Sequence, residues 1–267
     1  MMKIALIHDF ARNEYPGGAN LTLSRLVDLA PKNVEITWLT WHSNLQLNYY
    51  DKFIIANQRN ISPVALEHLL EGKKFVKIHF DYGYVSPKIT KSAQLLVFMS
   101  PKQRDDMIGR FTGCNTHVMP SLVDPELFYP AKERGQGYLW LSGFSRQKGP
   151  RALWEWAEEN RIPVDVYGYG TPKIYLEQSQ YCHIKRFVPY ENIPELLRQY
   201  HTLLHLPKSP EAGSRIFIEA LLSGLNVITT SFEGDLSFDS PYDAQKWRER
   251  LKKAPYEFWE RVLLTLK

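Results

Sequence analysis

The stretch "SPEAGSRIFIEALLSGLNVITT" (Ser209–Thr230) contains a helical run with a glutamate, Glu219, in the middle of apolar residues. The residues on both sides of Glu219 leave no polar face wide enough to meet water, and such a helix is buried. Burying an ionised carboxylate without a partner is unfavourable by several kcal/mol. We therefore expect Glu219 to bind something. From the residues alone, a buried ion pair with a nearby arginine and a bound ligand both remain open.

Around this helix, short β-rich runs alternate with helical stretches, which is the pattern of an α/β protein with parallel sheets. The predicted strands are Lys3–Ile7, Glu35–Leu39, Phe53–Ala56, Phe75–His79, Leu95–Met99, Tyr138–Leu141, Val164–Tyr167, Ile184–Phe187, Leu203–Leu206 and Asn226–Thr229. The other predicted helices are Ala19–Leu29, Pro63–Leu70, Pro101–Phe111, Pro150–Glu159 and Ile193–Tyr200. The tail from Tyr242 onward predicts one or two helices interrupted at Pro255.

The alternation stops once, in "PSLVDPELFYPAKERGQG" (Pro120–Gly137). This segment has prolines, charges and glycines without periodicity, which is typical of a linker. The sequence therefore predicts two α/β domains of similar size, residues 1–133 and residues 134–267.

Composition indicates an ordinary globular protein, since 44% of the 267 residues are hydrophobic and 23% are charged. The net charge of +4 is mild, and basic residues concentrate only in "KWRERLKK" (Lys246–Lys253). A solvated helix face is the favoured interpretation of this run; nucleic-acid binding is disfavoured, and contact with an anionic membrane surface stays open. Without a signal peptide or an apolar run of membrane-spanning length, we expect a cytoplasmic protein, with peripheral membrane attachment as an open alternative.

Three glycine-containing loops follow predicted strands, where open parallel sheets bind ligands. The first is "YPGGANLT" (Tyr15–Thr22), in which Gly17 and Gly18 allow close backbone approach. The second is "SGFSRQKGP" (Ser142–Pro150), in which Arg146 and Lys148 precede a helix. Two cations at this place predict a binding site for a diphosphate. The third is "YGYGTP" (Tyr167–Pro172). From the residues alone, a tight turn explains the first loop equally well, and a solvated basic loop explains the second.

The fourth loop lies in Ser209–Thr230 itself. Glu211 stands eight residues before Glu219, so one carboxylate is in the loop and the other is in the second turn of the helix. Ser214 is a predicted helix N-cap. Gly213 would let a ligand approach the first N–H groups of the helix, which favours phosphate.

Taken in this order, the loops resemble those of retaining glycosyltransferases with the GT-B fold, similar to glycosyltransferase family four. The pair Glu211 and Glu219 matches the E-x7-E motif of that family. "WLSGFSRQKGP" and "VYGYG" resemble its loops upstream, while "GGANLT" and "PSLVDPELFYP" resemble its first-half glycine loop and interdomain connector. The resemblance covers most of residues 1–230. It implies two Rossmann-like parallel-sheet domains facing each other across a cleft.

The resemblance also implies roles for individual residues. Glu219 would hold the ribose hydroxyls of a nucleotide-sugar, Glu211 would face the donor sugar, and Lys148 would grip the diphosphate. His79, in "KIHFDYGY", falls where the family often has a histidine near the reacting sugar; a satisfied core or surface histidine is the alternative, and Asp81 is a second candidate. The implied catalytic residues are thus His79, Glu211 and Lys148, and the implied donor-binding residues are Glu219, Arg146, Gly143, Tyr169, Gly170, Gly213, Ser214, Arg215, Gly17 and Gly18.

The chain departs from the family pattern at four positions. Gly143 stands in place of a loop arginine, for which Arg146 is the predicted substitute. Gly213 replaces an aromatic residue, Asn20 replaces a glutamate, and Asn226 replaces a proline.

The implied function is transfer of a hexose from a UDP- or GDP-sugar to a hydroxyl of a glycan, lipid or other acceptor, with retention of the anomeric configuration. The nucleotide-sugar is the substrate, and neither a cofactor nor a metal is expected, because Lys148, Arg146 and helix dipoles supply positive charge. Alternatives are a nucleotide-sugar-binding protein without transfer activity, a GT-B epimerase and a DNA-modifying glycosyltransferase. The sequence does not predict an oligomeric state.

Overall fold

A computed structural model of the chain describes residues 1–12, 14, 17–40, 47–57, 60–83, 86–109, 113–133 and 135–267. Tyr15 and Pro16 of the first glycine loop, and Phe111 at the predicted end of a helix, lie outside the described residues. The chain forms two compact units, one of Met1–Leu122 with Leu251–Lys267 and the other of Val123–Arg250.

The first unit is built on a parallel sheet. Among the described residues its strands are β1 (Met2–His8), β2 (Val34–Thr40), β3 (Lys52–Ile55), β4 (Phe75–His79), β5 (Leu95–Phe98) and β6 (Thr116–Val118), arranged in the order β2-β1-β3-β4-β5-β6. The helices are α1 (Gly18–Asp28), α2 (Pro63–Leu70), α3 (Pro87–Ser92) and α4 (Pro101–Ile108), with a 3₁₀ turn at Leu47–Tyr49.

Serine followed by proline begins three of these helices. The Ser100 hydroxyl accepts a hydrogen bond from the Gln103 N–H at 3.2 Å, and Pro101 occupies the first turn of α4, as predicted. Ser62 caps α2 in the same way. Ser86 caps α3. The helix α3 was not predicted, although it carries the same serine–proline signal.

The second unit is built on another parallel sheet. Its strands in the described part of the chain are β7 (Tyr138–Gly143), β8 (Val164–Tyr169), β9 (Cys182–Ile184), β10 (Thr202–His205) and β11 (Asn226–Thr229), in the order β11-β10-β7-β8-β9. The helices are α5 (Pro150–Asn160), α6 (Ile174–Glu177), α7 (Ile193–Arg198) and α8 (Arg215–Leu222), with 3₁₀ turns at Arg146–Lys148, Tyr190–Asn192 and Gly234–Ser237. The predicted α/β class with parallel sheets is confirmed.

One predicted strand is displaced. The sequence places it at Ile184–Phe187, but β9 ends at Ile184, because residues 182–184 are the ones that pair with β8. Phe187, which the prediction counted as a strand residue, has 59% of its surface exposed.

The C-terminal helix α9 (Ala244–Leu266) runs without interruption through Pro255. The prediction of a break there was wrong. Proline removes one backbone donor, but Ala254, Phe258 and Trp259 on either side are buried, so packing holds the helix together. Its second half belongs to the first unit, where the Trp259 indole N–H donates to the Leu26 carbonyl at 3.0 Å. The units therefore divide after Leu122 and after Arg250, whereas the sequence predicts a single boundary after residue 133.

Each unit buries a hydrophobic core against its own sheet. In the first, β1, β3, β4 and β5 contribute buried residues that include Ile7, Phe53 and Phe98. In the second, Trp140 and Val166 of β7 and β8 pack with residues of α5 and β10. Within the described ranges, no helix combines the length and the apolar character that a membrane span requires.

Candidate functional site

The basic turn after β7 is held against the loop after β10. Gly149 ends the turn Arg146–Lys148 in the left-handed region, with φ 77°, and α5 follows at once. A Cβ atom on Gly149 would lie 1.8 Å from the Leu206 carbonyl oxygen. The Lys208 N–H donates to the Gln147 carbonyl at 2.9 Å. Both the left-handed backbone and the close approach to Leu206 therefore require glycine at position 149. This close approach places Lys148 beside the loop that carries Glu211.

We expect Gly149→Ala to lower the free energy of unfolding by about 3–5 kcal/mol, because the left-handed backbone and the contact with Leu206 both oppose a side chain. The matched control is Gly170→Ala, at φ 88° with open space around its Cβ position, which should lose only about 1–2 kcal/mol. Urea denaturation measures both. Equal losses would show that the close approach to Leu206 has no energetic importance.

Lys148 and Glu211 form an ion pair, as the proximity of their loops permits. The Lys148 Nζ lies 2.6 Å from Glu211 Oε2, and the two side chains keep 31% and 13% of their surface exposed. Arg146, two residues earlier, is exposed and forms no ion pair with any described residue. The turn thus presents one cation that is already balanced by a carboxylate and one that is not.

The main chain of Glu211 is fixed by the segment that follows β11. Its N–H donates to the Phe232 carbonyl at 2.9 Å, and Glu211 forms an isolated bridge with Glu233. Glu233 is fully buried, and its Oε2 lies 2.7 Å from Nε2 of the buried His205 at the end of β10. Paired buried groups of this kind hold a loop in one geometry.

The N-terminus of α8 already contacts a carboxylate. Ser214 occupies the predicted N-cap position, but its side chain makes no capping bond. Instead its N–H donates to Asp235 Oδ2 at 2.7 Å. Burial and the neighbouring Glu233 raise the pKa of Asp235 well above its usual range. The Ser214 N–H is therefore engaged by the protein, and the implied role of Ser214 in donor binding stays a prediction.

Glu219 has the arginine partner that its burial requires. Its Oε1 accepts from Arg215 Nη2 at 3.0 Å and from the Tyr190 hydroxyl at 3.0 Å. Arg215 in turn donates to the Tyr190 oxygen. Burial raises the pKa of Glu219, and Arg215 and Tyr190 oppose that rise. The second oxygen, Oε2, makes no hydrogen bond to a described residue. The ion pair therefore engages one oxygen, and the binding of ribose hydroxyls by Glu219 stays a prediction.

The glycine loops after β7 and β8 pack on each other. Gly143 and Tyr169 are paired across the two strands, and a Cβ atom on Gly143 would lie 2.7 Å from the Tyr169 ring. The absence of a side chain at Gly143 thus lets the aromatic ring lie over the strand end, where half of Tyr169 stays exposed. Gly170 follows in the left-handed region.

In the first unit, His79 ends β4 and is buried, but it is not the satisfied histidine of the alternative interpretation. Both ring nitrogens lack a hydrogen-bond partner in the described part of the chain. The ring stacks on Phe98 at 5.1 Å between centroids. Burial and the nearby Lys77 hold its pKa well below the usual value, so the imidazole is neutral. Lys77 is itself buried, which lowers its pKa to about 7. Asp81 accepts from the Gly83 N–H at 2.8 Å.

Gly17 and Gly18 begin α1 next to the loop after β1. The Gly17 carbonyl accepts from the Leu21 N–H at 3.1 Å. Asn20, buried in the position of the family's glutamate, donates to the carbonyls of Ala11 and Arg12 at 3.1 Å each. The first turn of α1 is therefore tied to the segment that follows β1.

The predicted residues thus fall into two sets. Those of the second unit gather at the carboxyl edge of its sheet, where Lys148 contacts Glu211 and Arg215 contacts Glu219. His79, Gly17 and Gly18 belong to the first unit.

Sequence reasoning missed four side chains that organise this edge: Tyr190, His205, Glu233 and Asp235. The two acids follow β11 directly, and the rule that ligand sites lie beyond strand ends could have identified them. No group of three or more His, Cys, Asp or Glu side chains within the described ranges is arranged to hold a metal ion.

No protein-family model matches the chain, and no curated protein matches it. Solved structures do resemble it. Sucrose-phosphate synthase from Thermosynechococcus elongatus has a TM-score of 0.77 at 14% identity, covering 100% of both chains. HepE from Anabaena, solved with UDP and glucose, has a TM-score of 0.69 at 14% identity over 99% of this chain and 95% of its own. AviGT4, a glycosyltransferase involved in avilamycin A biosynthesis, has a TM-score of 0.66 at 17% identity over 100% of this chain and 97% of its own. With its two parallel sheets, the chain has a GT-B fold.

Proposed function

We propose that this protein is a glycosyltransferase that moves a hexose from a UDP- or GDP-sugar to an acceptor hydroxyl, with retention of the anomeric configuration. The observation that carries the proposal is the arrangement of Lys148, Glu211 and Glu219 around the start of α8, with Glu219 presenting an unused carboxylate oxygen. A cation complements the charge of a diphosphate, and the two carboxylates complement the hydroxyls of a sugar and of a ribose. The structural relatives, which include a glycosyltransferase and a protein solved with UDP and glucose, support it.

In this proposal the bond between the sugar C1 and the diphosphate oxygen breaks while the acceptor oxygen bonds to C1 on the same face. The acceptor proton passes to the departing diphosphate. The protein contributes charge and position: Lys148 and Arg146 stabilise the negative charge that develops on the leaving group, and the carboxylates orient the sugar and the ribose. No metal takes part, since these two cations supply the positive charge.

The test is turnover of radiolabelled UDP- and GDP-sugars, each incubated with and without a panel of glycan and lipid acceptors. We expect one nucleotide class to raise the melting temperature of the protein and to yield a labelled product that depends on an acceptor. Activity should persist in EDTA. The anomeric configuration of the product, read by NMR, decides retention.

Three results would contradict the proposal in different ways. Nucleotide binding without turnover would indicate a binding protein. Conversion of the sugar nucleotide without an acceptor would indicate an epimerase. Absence of binding to all the nucleotide-sugars would remove the proposed substrate class altogether.

A further inference from the structure

We propose that Tyr190 is a positioning residue for nucleotide binding: its hydroxyl fixes the Glu219 carboxylate so that Oε2 meets the ribose hydroxyls. This inference rests on the proposed function and adds to it a residue that sequence reasoning did not identify. Tyr190 begins the 3₁₀ turn Tyr190–Asn192, between β9 and α7, and is distant in sequence from both of its partners.

The geometry assigns each group one direction of donation. Arg215 donates to the Tyr190 oxygen, and the Tyr190 hydroxyl then donates to Glu219 Oε1 at 3.0 Å. Arg215 also donates directly to Glu219 Oε1, at 3.0 Å. With two donors on Oε1, the carboxylate cannot rotate without losing both bonds. Its Oε2 is then held as an acceptor.

Burial makes this arrangement sensitive to loss of the hydroxyl. The Glu219 and Arg215 side chains keep 4% and 10% of their surface exposed. Among the residues that the structure describes, Arg215 and Tyr190 are the charged and titratable groups that act on Glu219. Removing the tyrosine oxygen leaves Arg215 as the only described donor to the carboxylate. The pKa of Glu219, already raised by burial, then rises further.

The consequence for binding follows from the sign of that shift. Because two donors already occupy Oε1, a proton on the neutral carboxyl lies on Oε2 and takes one of the lone pairs that would accept from the ribose hydroxyls. Affinity for a nucleotide therefore falls as the pH drops through the pKa of Glu219. In Tyr190→Phe this loss begins at a higher pH than in the wild type.

The experiment compares UDP with 2′,3′-dideoxy-UDP by calorimetry at several pH values; GDP and its dideoxy form replace them if the protein prefers guanine. The ratio of the two affinities cancels the ionisation of the phosphates and reports the ribose contacts alone. We expect Tyr190→Phe to weaken binding of UDP about tenfold and to leave binding of the dideoxy nucleotide unchanged. A merely structural defect would weaken both equally.

Tyr200→Phe is the matched control. It also removes a tyrosine hydroxyl bound to a carboxylate of the second unit, since Tyr200 donates to Asp165 Oδ2 at 2.6 Å. It should leave the affinity ratio and its pH dependence as in the wild type.

If the wild type binds UDP but Tyr190→Phe and Tyr200→Phe behave alike, the positioning role is wrong and the proposed function stands. If neither nucleotide binds the wild type, the proposed function fails and this inference fails with it.

Discussion

Replacing Lys148 by alanine is expected to lower the rate of glycosyl transfer about 100- to 1,000-fold, because one preorganised cation facing a leaving diphosphate contributes that much. The pair with Glu211 is partly exposed, so the free energy of unfolding should change by only about 1 kcal/mol. The measurement is kcat with saturating donor, together with urea denaturation. Transfer within threefold of the wild type would show that Lys148 does not face the diphosphate.

Lys208→Ala is the control for charge alone. Lys208 is an exposed lysine on the loop that packs against the basic turn, and it forms no ion pair with a described residue. Its loss removes the same charge from the same edge of the sheet. Transfer should fall less than twofold, since an exposed charge is screened by solvent and salt.

Replacing the neighbouring carboxylate, Glu211, is expected to strengthen the binding of UDP and not to weaken it. In the absence of ligand, Glu211 neutralises Lys148, so a diphosphate must compete with it for the ammonium group. Glu211→Gln should therefore tighten the binding of free UDP several-fold while it slows transfer, since the donor sugar loses a hydrogen-bond acceptor. A parallel fall in both quantities would mean that Glu211 contacts the nucleotide rather than restraining Lys148.

Much of the fold followed from local pattern. Parallel pairing followed from strands alternating with helices, and the serine–proline signal at Ser100 gave the start of α4 because capping is local chemistry. The break at Pro255 failed for a physical reason. The missing hydrogen bond is a local loss of modest size, and the buried Phe258 and Trp259 outweigh it through contacts that the sequence does not reveal.

The candidate site was predictable to the same extent. The spacing of Glu211 and Glu219 put both carboxylates near the start of α8, and a partner for Glu219 was required by burial alone. Spacing and burial do not identify Tyr190 or Asp235, although Asp235 follows a strand end, where ligand sites are expected. They reach α8 from segments after β9 and β11, so their positions depend on strand order, which no spacing within Ser209–Thr230 encodes.

Replacing Glu219 by alanine is expected to abolish nucleotide binding and also to lower the free energy of unfolding by about 3–5 kcal/mol, because it leaves the buried guanidinium of Arg215 without its carboxylate. The loss of binding alone would then be ambiguous, since a damaged α8 has the same effect. Denaturation in urea measures the first quantity and calorimetry with UDP the second.

The double variant Arg215→Met with Glu219→Met separates the two effects. Replacing both members of a buried ion pair by apolar side chains is often close to neutral for stability, so most of the loss should be recovered while nucleotide binding stays absent. Arg215→Met alone has a pH signature. It raises the pKa of Glu219 beyond the rise that burial already causes. The folded state then holds a proton that the unfolded state releases, so stability should fall as the pH rises above the ordinary pKa of a glutamate, more steeply than in the wild type. Recovery of UDP binding in the double variant would show that Glu219 serves the packing of α8 and not the ribose.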